Sequence, residues 1–218
     1  MNIIIAGLVT AAVSYLLGSL NFAVIISKIK YNQDIRDYGS GNAGMTNMLR
    51  IYGKTAAAFT TIGDFGKAVA AVLLGQYVFF PVISGVGTEM MYGAYLAGIF
   101  VLFGHLFPLF FGFKGGKGLM TIAGIFLFVD PLAALVCLII FCLFAFSTKI
   151  VSIGTLISVF LFPFIAFAFQ LIIWQKSMDV ALINSAFSAV LSGIVLFMHR
   201  SNVKRLLNGT ENKFGKKK

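Results

Sequence analysis

The sequence predicts an all-α, polytopic integral membrane protein of about seven transmembrane helices, and three observations carry that expectation. Only 11% of the 218 residues are charged while 59% are hydrophobic, with a mean hydropathy of +0.96. A soluble domain carries about 25% charged residues, so this chain lacks the charge to clothe a water-exposed surface. Its apolar residues fall in long continuous runs, and its basic residues gather between alternate runs.

Seven runs can be drawn, at about 3–27, 56–80, 90–111, 118–130, 132–147, 152–174 and 180–198. A helix needs about 20 apolar residues to cross a bilayer, which the longer runs supply. The fourth and fifth are short and are divided only by Asp130-Pro131. They read as a tilted hairpin or as one broken element, so five to seven spans fit. The start, Met1-Asn2-Ile3-Ile4-Ile5, has no positive charge ahead of its apolar run, and Lys28 and Lys30 come after it. It therefore reads as an uncleaved first helix rather than a secretory signal. With no repeat and no low-complexity segment, residues 1–218 read as a single membrane-embedded domain with a basic tail from about 200.

With seven spans, one set of loops holds Lys28, Lys30, Arg36, Arg50, Lys54, Lys114, Lys117, Lys149 and the tail from Arg200. The opposite set holds Lys176 beside Glu89, Asp130 and Asp179. Basic loops stay in the cytoplasm, so the N-terminus is expected outside and the C-terminus inside. The net charge of +10 is then an attraction to anionic lipid, not a nucleic-acid footprint. Cys137 and Cys142 share one apolar run without His or acid nearby. Neither a disulfide nor a metal is expected there.

The unusual polar clusters all fall on the basic side. The first runs Arg36-Asp37-Tyr38-Gly39-Ser40-Gly41-Asn42-Ala43-Gly44-Met45-Thr46-Asn47-Met48-Leu49-Arg50. Ser and Gly before Asn can open a helix and offer backbone N–H groups to an anion. A helix starting near Asn42 would set Asn42, Thr46 and Arg50 on one face, with Arg50 able to grip a phosphate in bidentate fashion. The plain alternative is a capping loop with Arg50 at lipid headgroups. Asp64 and Lys67, one helical turn apart, read first as an internal ion pair, because ionisable groups within spans face the protein interior.

The second cluster is Gly104-His105-Leu106-Phe107-Pro108 followed by Phe113-Lys114-Gly115-Gly116-Lys117-Gly118. Its glycines allow close backbone approach, and its lysines supply charge, so it reads as a phosphate cradle without Walker spacing. A glycine-rich turn with snorkelling lysines is the alternative. His105 reads equally as a base or as a packed, hydrogen-bonded residue. The third cluster, Ser147-Thr148-Lys149-Ile150-Val151-Ser152, would alone be only a polar turn. The fourth, from His199-Arg200-Ser201-Asn202 through Arg205 to Glu211, sets His199, Asn202 and Arg205 at every third residue of an emerging helix. Glu211 reads as an anchor for the tail.

Taken in order, Ser40-Gly41-Asn42-x-Gly44-x-Thr46-Asn47-x-x-Arg50, Gly104-His105-x-Phe107-Pro108 with Phe113-Lys114-Gly115-Gly116-Lys117-Gly118, and His199-Arg200-x-Asn202-x-x-Arg205-Leu206-Leu207-x-Gly209-x-Glu211 resemble the acyl-phosphate-dependent glycerol-3-phosphate acyltransferases, the PlsY family. The resemblance covers essentially the whole chain. It implies a bacterial plasma-membrane enzyme, its active site facing the cytoplasm, that acylates the sn-1 hydroxyl of glycerol 3-phosphate. The implied donor is a fatty acyl phosphate and the products are lysophosphatidic acid and phosphate, the first acylation of phospholipid synthesis. The implied partners are these two substrates, membrane lipid and the enzyme that makes acyl phosphate, with no cofactor, metal or nucleic acid.

By the same resemblance Ser40, Arg50, His199 and Asn202 are expected to serve catalysis. Substrate and phosphate binding are expected of Gly41, Asn42, Thr46, Asn47, His105, Lys114, Gly115, Gly116, Lys117, Gly118, Ser152 and Arg205. Asp64, Lys67 and Glu211 are expected to support them. The chain departs from the family's usual pattern at Asn21, Met45, Ala68 and Lys149-Ile150, which weakens the carry-over to Ser152 and Lys67.

The chemistry fits these residue types. Both substrates are phosphates, so Arg, Lys and backbone N–H groups suit their binding. Transfer needs a carbonyl held against a hydroxyl and donors for the developing oxyanion. The base is expected to be His199, His105 or a substrate phosphate oxygen. The His-x4-Asp motif of other glycerolipid acyltransferases is absent, since five residues beyond His105 and His199 stand Phe110 and Lys204. The competing class is a transporter or channel for a phosphate-bearing solute, but transporters set their polar residues near the midplane and often show repeats.

Overall fold

The computed structural model describes residues 2–87 and 91–214. Glu89 and the lysines at 216–218, which entered the charge argument, lie outside the described residues. The chain packs as two compact units, 1–125 and 126–218. Six helical stretches are long and apolar enough to cross a membrane among the described residues: Asn2–Tyr31, Lys54–Ser84, Tyr92–Phe111, Pro131–Thr148, Val151–Ile172 and Met178–Met198. Leu119–Val129 is apolar but shorter. At 1.5 Å per residue its 11 residues reach only about 16 Å, roughly half a hydrocarbon core.

The first unit holds α1 (Asn2–Gly18), α2 (Phe22–Tyr31), α3 (Met45–Tyr52), α4 (Lys54–Leu74), α5 (Phe80–Ser84), α6 (Tyr92–Leu106) and the first part of α7 (Leu119–Val129). A π-helical turn at Gly75–Phe79 carries α4 into α5. The first apolar run, read from sequence as one helix, is broken between Gly18 and Phe22. The cause is local. Asn21 takes an extended conformation and its side chain accepts from Val24 N, which starts a new helix. α1 lies against α6 where both have lost their side chains. A Cβ on Gly18 would strike the Val101 carbonyl, and one on Gly104 would strike the Tyr15 carbonyl. Lipid gives no hydrophobic drive for helix pairing, so close backbone approach supplies it.

The second unit holds α8 (Pro131–Thr148), α9 (Val151–Ile172), α10 (Met178–Met198) and α11 (Arg200–Leu207). The Asp130-Pro131 break makes two helices, not one. Asp130 Oδ1 caps Ala133 N at 2.9 Å, and Pro131 sits in the first turn, where its missing N–H costs nothing. Phe126 stacks on Phe162 with ring centroids 3.6 Å apart. Pro163 lies inside α9 and cannot donate to the carbonyl four residues back. That carbonyl belongs to Val159, and Ser192 Oγ of α10 donates to it at 2.8 Å. An apolar solvent leaves no water to do this. Nearer the other end of α9, Asn184 Nδ2 of α10 donates to Gln170 Oε1 at 2.5 Å.

Candidate active site

In the first unit the break after α1 organises the polar groups. Ser19 Oγ donates to the Tyr15 carbonyl at 2.9 Å and accepts from Leu109 N at 3.2 Å. Tyr15 Oη donates to the Phe107 carbonyl at 2.8 Å. The chain leaving α6 is thereby held against the end of α1. Lys67 of α4 reaches the same break and donates to the carbonyls of Gly18 and Leu20 at 2.9 and 2.7 Å. Its ammonium also lies 2.9 Å from Asp64 Oδ1 and 3.1 Å from His105 Nδ1, and all three side chains are buried. A buried charge is tolerated only when paired and hydrogen-bonded, and here the ion pair caps a broken helix as well.

The glycine-lysine loop folds back under His105. Gly115 N donates to the Leu106 carbonyl at 3.1 Å and Gly116 N to the His105 carbonyl at 3.2 Å. A Cβ on Gly115 would collide with the His105 carbonyl, and one on Gly116 with His105 Nε2 and the Ala43 carbonyl. Both glycines are therefore demanded by close approach. Lys114 is exposed, while Gly116 and Gly118 are buried.

The first cluster differs from its expected form. α3 starts at Met45, capped by Gly44 in extended conformation, so Asn42 precedes the helix and does not share its face. The reason is that Asn47 organises the preceding chain. Its Nδ2 donates to the carbonyls of Ile35 and Tyr38 at 3.2 and 2.9 Å, and its Oδ1 accepts from Ser40 N at 3.0 Å. Those bonds fold residues 35–40 into a loop before the helix can begin. Thr46 and Arg50 do share a face, four residues apart on α3. Arg50 is exposed, with Nη1 3.3 Å from Asn47 Oδ1, and Ser40, Gly41 and Asn42 lie on the open side of the loop.

Two residues absent from the expected set join these loops. Arg36 forks onto Asp34, with Nε to Oδ1 at 2.9 Å and Nη2 to Oδ2 at 2.7 Å. Its Nη1 donates to the carbonyls of Phe111 and Lys114 at 2.6 and 3.0 Å. The hydrogen bond from Arg36 holds the Asp34 carboxyl down at about 2. The Asp34-x-Arg36 pair was visible in the sequence, but nothing there showed that the guanidinium would span 75 residues to Phe111.

In the second unit the tail beyond the fourth cluster returns to the third. Lys149 closes α8 in a left-handed conformation, and its carbonyl accepts from Phe214 N at 2.9 Å. Ser152, in the first turn of α9, is buried. His199 stands at the junction of α10 and α11, buried, with Nδ1 donating to the Val195 carbonyl at 2.8 Å. The Glu211 carboxylate takes Asn202 Nδ2 at 3.0 Å and Arg205 Nε at 2.8 Å. The tail thus folds back along α11.

A family model described as glycerol-3-phosphate acyltransferase matches residues 8–209. The glycerol-3-phosphate acyltransferase of Clostridioides difficile (strain 630) is 41% identical over 211 residues, covering 97% of each chain. That of Neisseria meningitidis serogroup C / serotype 2a is 41% identical, covering 95% of this chain and 96% of its own. Among solved structures, the crystal structure of PlsY (YgiH), an integral membrane glycerol 3-phosphate acyltransferase in its glycerol 3-phosphate form, superposes with a TM-score of 0.75 at 31% identity, covering 96% of both chains. Its lysophosphatidic acid form gives 0.73 at 29%.

Apolar helices carrying basic, glycine-rich polar loops define an integral membrane enzyme of phosphate-ester chemistry. The chain belongs to the glycerol-3-phosphate acyltransferase family and is an acyltransferase of phospholipid biosynthesis.

Proposed function

We propose that this enzyme takes its acyl group from a fatty acyl phosphate and works at the cytoplasmic face of a bacterial plasma membrane. The family model runs across both compact units, which supports treating them as one catalytic domain. The observation that carries the site assignment is Arg36, which ties the Ser40 loop to the Lys114–Gly118 loop within the first unit. In this reading Arg50, Lys114 and Lys117 take substrate phosphate, with Gly41, Asn42 and Thr46 beside them. Gly115, Gly116 and Gly118 shape the loop that carries the two lysines, the Gly115 and Gly116 N–H groups being already given to the Leu106 and His105 carbonyls. Asn47 acts as a positioning residue, since its amide is committed to the loop that presents Ser40. In the second unit His199 and Asn202 serve the transfer, Ser152 and Arg205 assist binding, and Glu211 holds Asn202 and Arg205 in place.

The step needs no covalent enzyme intermediate, because phosphate already leaves readily. The sn-1 hydroxyl oxygen of glycerol 3-phosphate attacks the acyl carbonyl carbon. The bond from that carbon to the phosphate oxygen breaks, and phosphate departs with the electron pair. The hydroxyl proton passes to a phosphate oxygen or to His199. Positioning and charge stabilisation supply the rate. An acceptor in water and a chain in lipid suit a site at the interface, and the basic loops support the cytoplasmic side for it.

The test is purified protein with palmitoyl phosphate and glycerol 3-phosphate, scored for lysophosphatidic acid. Palmitoyl-CoA and palmitoyl-acyl carrier protein run in parallel. Product from acyl phosphate alone is expected. Product from either thioester at a comparable rate would refute the donor assignment.

A further inference from the structure

The imidazole of His105 is buried, and its two nitrogens face different chemistry. Nδ1 faces Lys67 Nζ at 3.1 Å. Nε2 lies against Gly116 and the Ala43 carbonyl, close enough that a Cβ on Gly116 would meet both. We propose that Lys67 is a positioning residue for acyl transfer: it fixes His105 as the neutral Nε2–H tautomer, so that the imidazole donates into the seam between Ala43 and Gly116 and takes no part in removing the proton.

An ammonium donates and cannot accept, so a nitrogen 3.1 Å away must offer its lone pair. Four acceptors crowd the three protons of Lys67: the carbonyls of Gly18 and Leu20, Asp64 Oδ1 and His105 Nδ1. The last two lie 3.5 Å from one another, so they share the third proton. A proton on Nδ1 could reach Asp64 only along that long contact, and it would stand against the ammonium. Asp64 Oδ1 also accepts from Phe22 N. Asp64 and Lys67, both on α4, are the ionisable groups against the ring among the described residues. α1, α2 and the chain between them contribute backbone groups.

With Nδ1 occupied, the remaining proton sits on Nε2. Such a ring has no lone pair for a substrate proton. It can only donate, and its donor points where the Ser40–Gly44 loop meets the Lys114–Gly118 loop. His199 differs, because its Nδ1 carries a hydrogen that it donates to the Val195 carbonyl. The two histidines of the chain are therefore distinguishable by which ring nitrogen carries hydrogen.

That difference is the experiment. Protein with isotope-labelled histidine ring nitrogens, in lipid nanodiscs, is read by NMR across the pH range of activity, and His199→Asn assigns the signals. His105 should show hydrogen on Nε2 alone, and His199 should show hydrogen on Nδ1. Hydrogen on His105 Nδ1, with or without Nε2, overturns the proposal. The double variant Asp64→Leu with Lys67→Met removes the buried pair together. It should let Nδ1–H appear on His105, and an unchanged tautomer overturns the role of Lys67.

The activity arm rests on the acyl-transfer reading above. Gln places its amide nitrogen near the Nε2 position and Asn near Nδ1. His105→Gln should keep at least about tenfold more kcat than His105→Asn, the ratio of one hydrogen bond, with its pH–rate limbs unmoved. Equal losses, or a displaced limb in His105→Gln, overturn the proposal. Should wild-type protein make no lysophosphatidic acid, the acyl-transfer reading fails while the NMR still decides the tautomer.

Discussion

Arg36 Nη1 donates to the Phe111 carbonyl at 2.6 Å, and with its bond to the Lys114 carbonyl this joins two loops distant in sequence. A guanidinium is planar and forked, so it can grip both oxygens of Asp34 in parallel while a further N–H group reaches the two carbonyls, a bidentate geometry that an ammonium does not reproduce. Hydrogen bonds to charged groups contribute about 1.5–3 kcal/mol each. Arg36→Ala should therefore lower kcat/KM for glycerol 3-phosphate by about 10- to 100-fold, and Arg36→Lys should fall between. Initial rates against glycerol 3-phosphate check this. Wild-type kinetics in Arg36→Ala would remove the clamp from the site.

The same clamp has a pH signature. Asp34 titrates near 3.8 when unperturbed and is held at about 2 here, first by the Arg36 hydrogen bond. A carboxylate lowered on folding contributes stability that is present above its unfolded value and is lost as pH falls through its folded value. The clamp should thus be intact above about pH 4 and weaken between about pH 4 and 2. Asp34 is partly open to solvent, so screening keeps the effect modest. Thermal unfolding in detergent from pH 6 to 2 checks it. Asp34→Asn should flatten the acid limb, and an identical limb in that variant would assign it to other carboxylates.

Most of the membrane architecture was legible, because burial in lipid writes itself as uninterrupted apolar runs, and all the long runs reappear as helices. The break at Ser19-Leu20-Asn21 was not, since two polar residues either side of a leucine inside a 25-residue apolar run signal a kink only once Lys67 is known to cap it. The start of α3 was misplaced by three residues because Asn47 binds backward to a loop, a choice that local propensity does not encode. At the site, spacing revealed which residue types gather but not their partners. Arg36 donates to the Phe111 and Lys114 carbonyls, and Asn21 Nδ2 donates to the Ala43 carbonyl at 3.3 Å, and no sequence pattern names partners so far along the chain.

Two glycines of similar appearance should behave oppositely. Gly116 has His105 Nε2 and the Ala43 carbonyl where a Cβ would go, whereas Gly66 of α4 has no atom within 4 Å. Gly116→Ala must push the loop off His105, and a displacement of about 1 Å at a site can cost about 100-fold in rate. Gly66→Ala only removes backbone freedom in a helix, which stabilises by about 0.5–1 kcal/mol. Turnover and melting temperature together separate the two. An active Gly116→Ala enzyme would show that the loop tolerates displacement.

Glu211 joins Asn202 and Arg205 in one carboxylate. Glu211→Ala removes an acceptor from both donors and should cost about 1–3 kcal/mol of stability. Glu211→Gln keeps an acceptor for one of them and should cost less. If Glu211 acts only by holding its partners, Asn202→Ala should lower kcat more than Glu211→Ala does. The reverse order in steady-state rates would give the carboxylate a direct part in the reaction.

Ser192 and Pro163 should be coupled although they lie on different helices. Pro163 deprives the Val159 carbonyl of its intrahelical donor, and Ser192 Oγ replaces that donor from α10. Ser192→Ala in the wild-type background therefore bares a carbonyl in a lipid-facing bundle. Hydrogen bonds between transmembrane helices contribute about 0.6 kcal/mol on average and up to about 1.7, so a loss toward the upper figure is expected. In a Pro163→Ala background the helix regains its own N–H to the Val159 carbonyl. Ser192→Ala should then cost markedly less there, giving a coupling energy of about 0.5–1.5 kcal/mol in a double-mutant cycle. Unfolding of the four proteins in mixed micelles measures it. Additive effects would mean that the Ser192 hydroxyl contributes only by packing, and that the Val159 carbonyl is served from elsewhere.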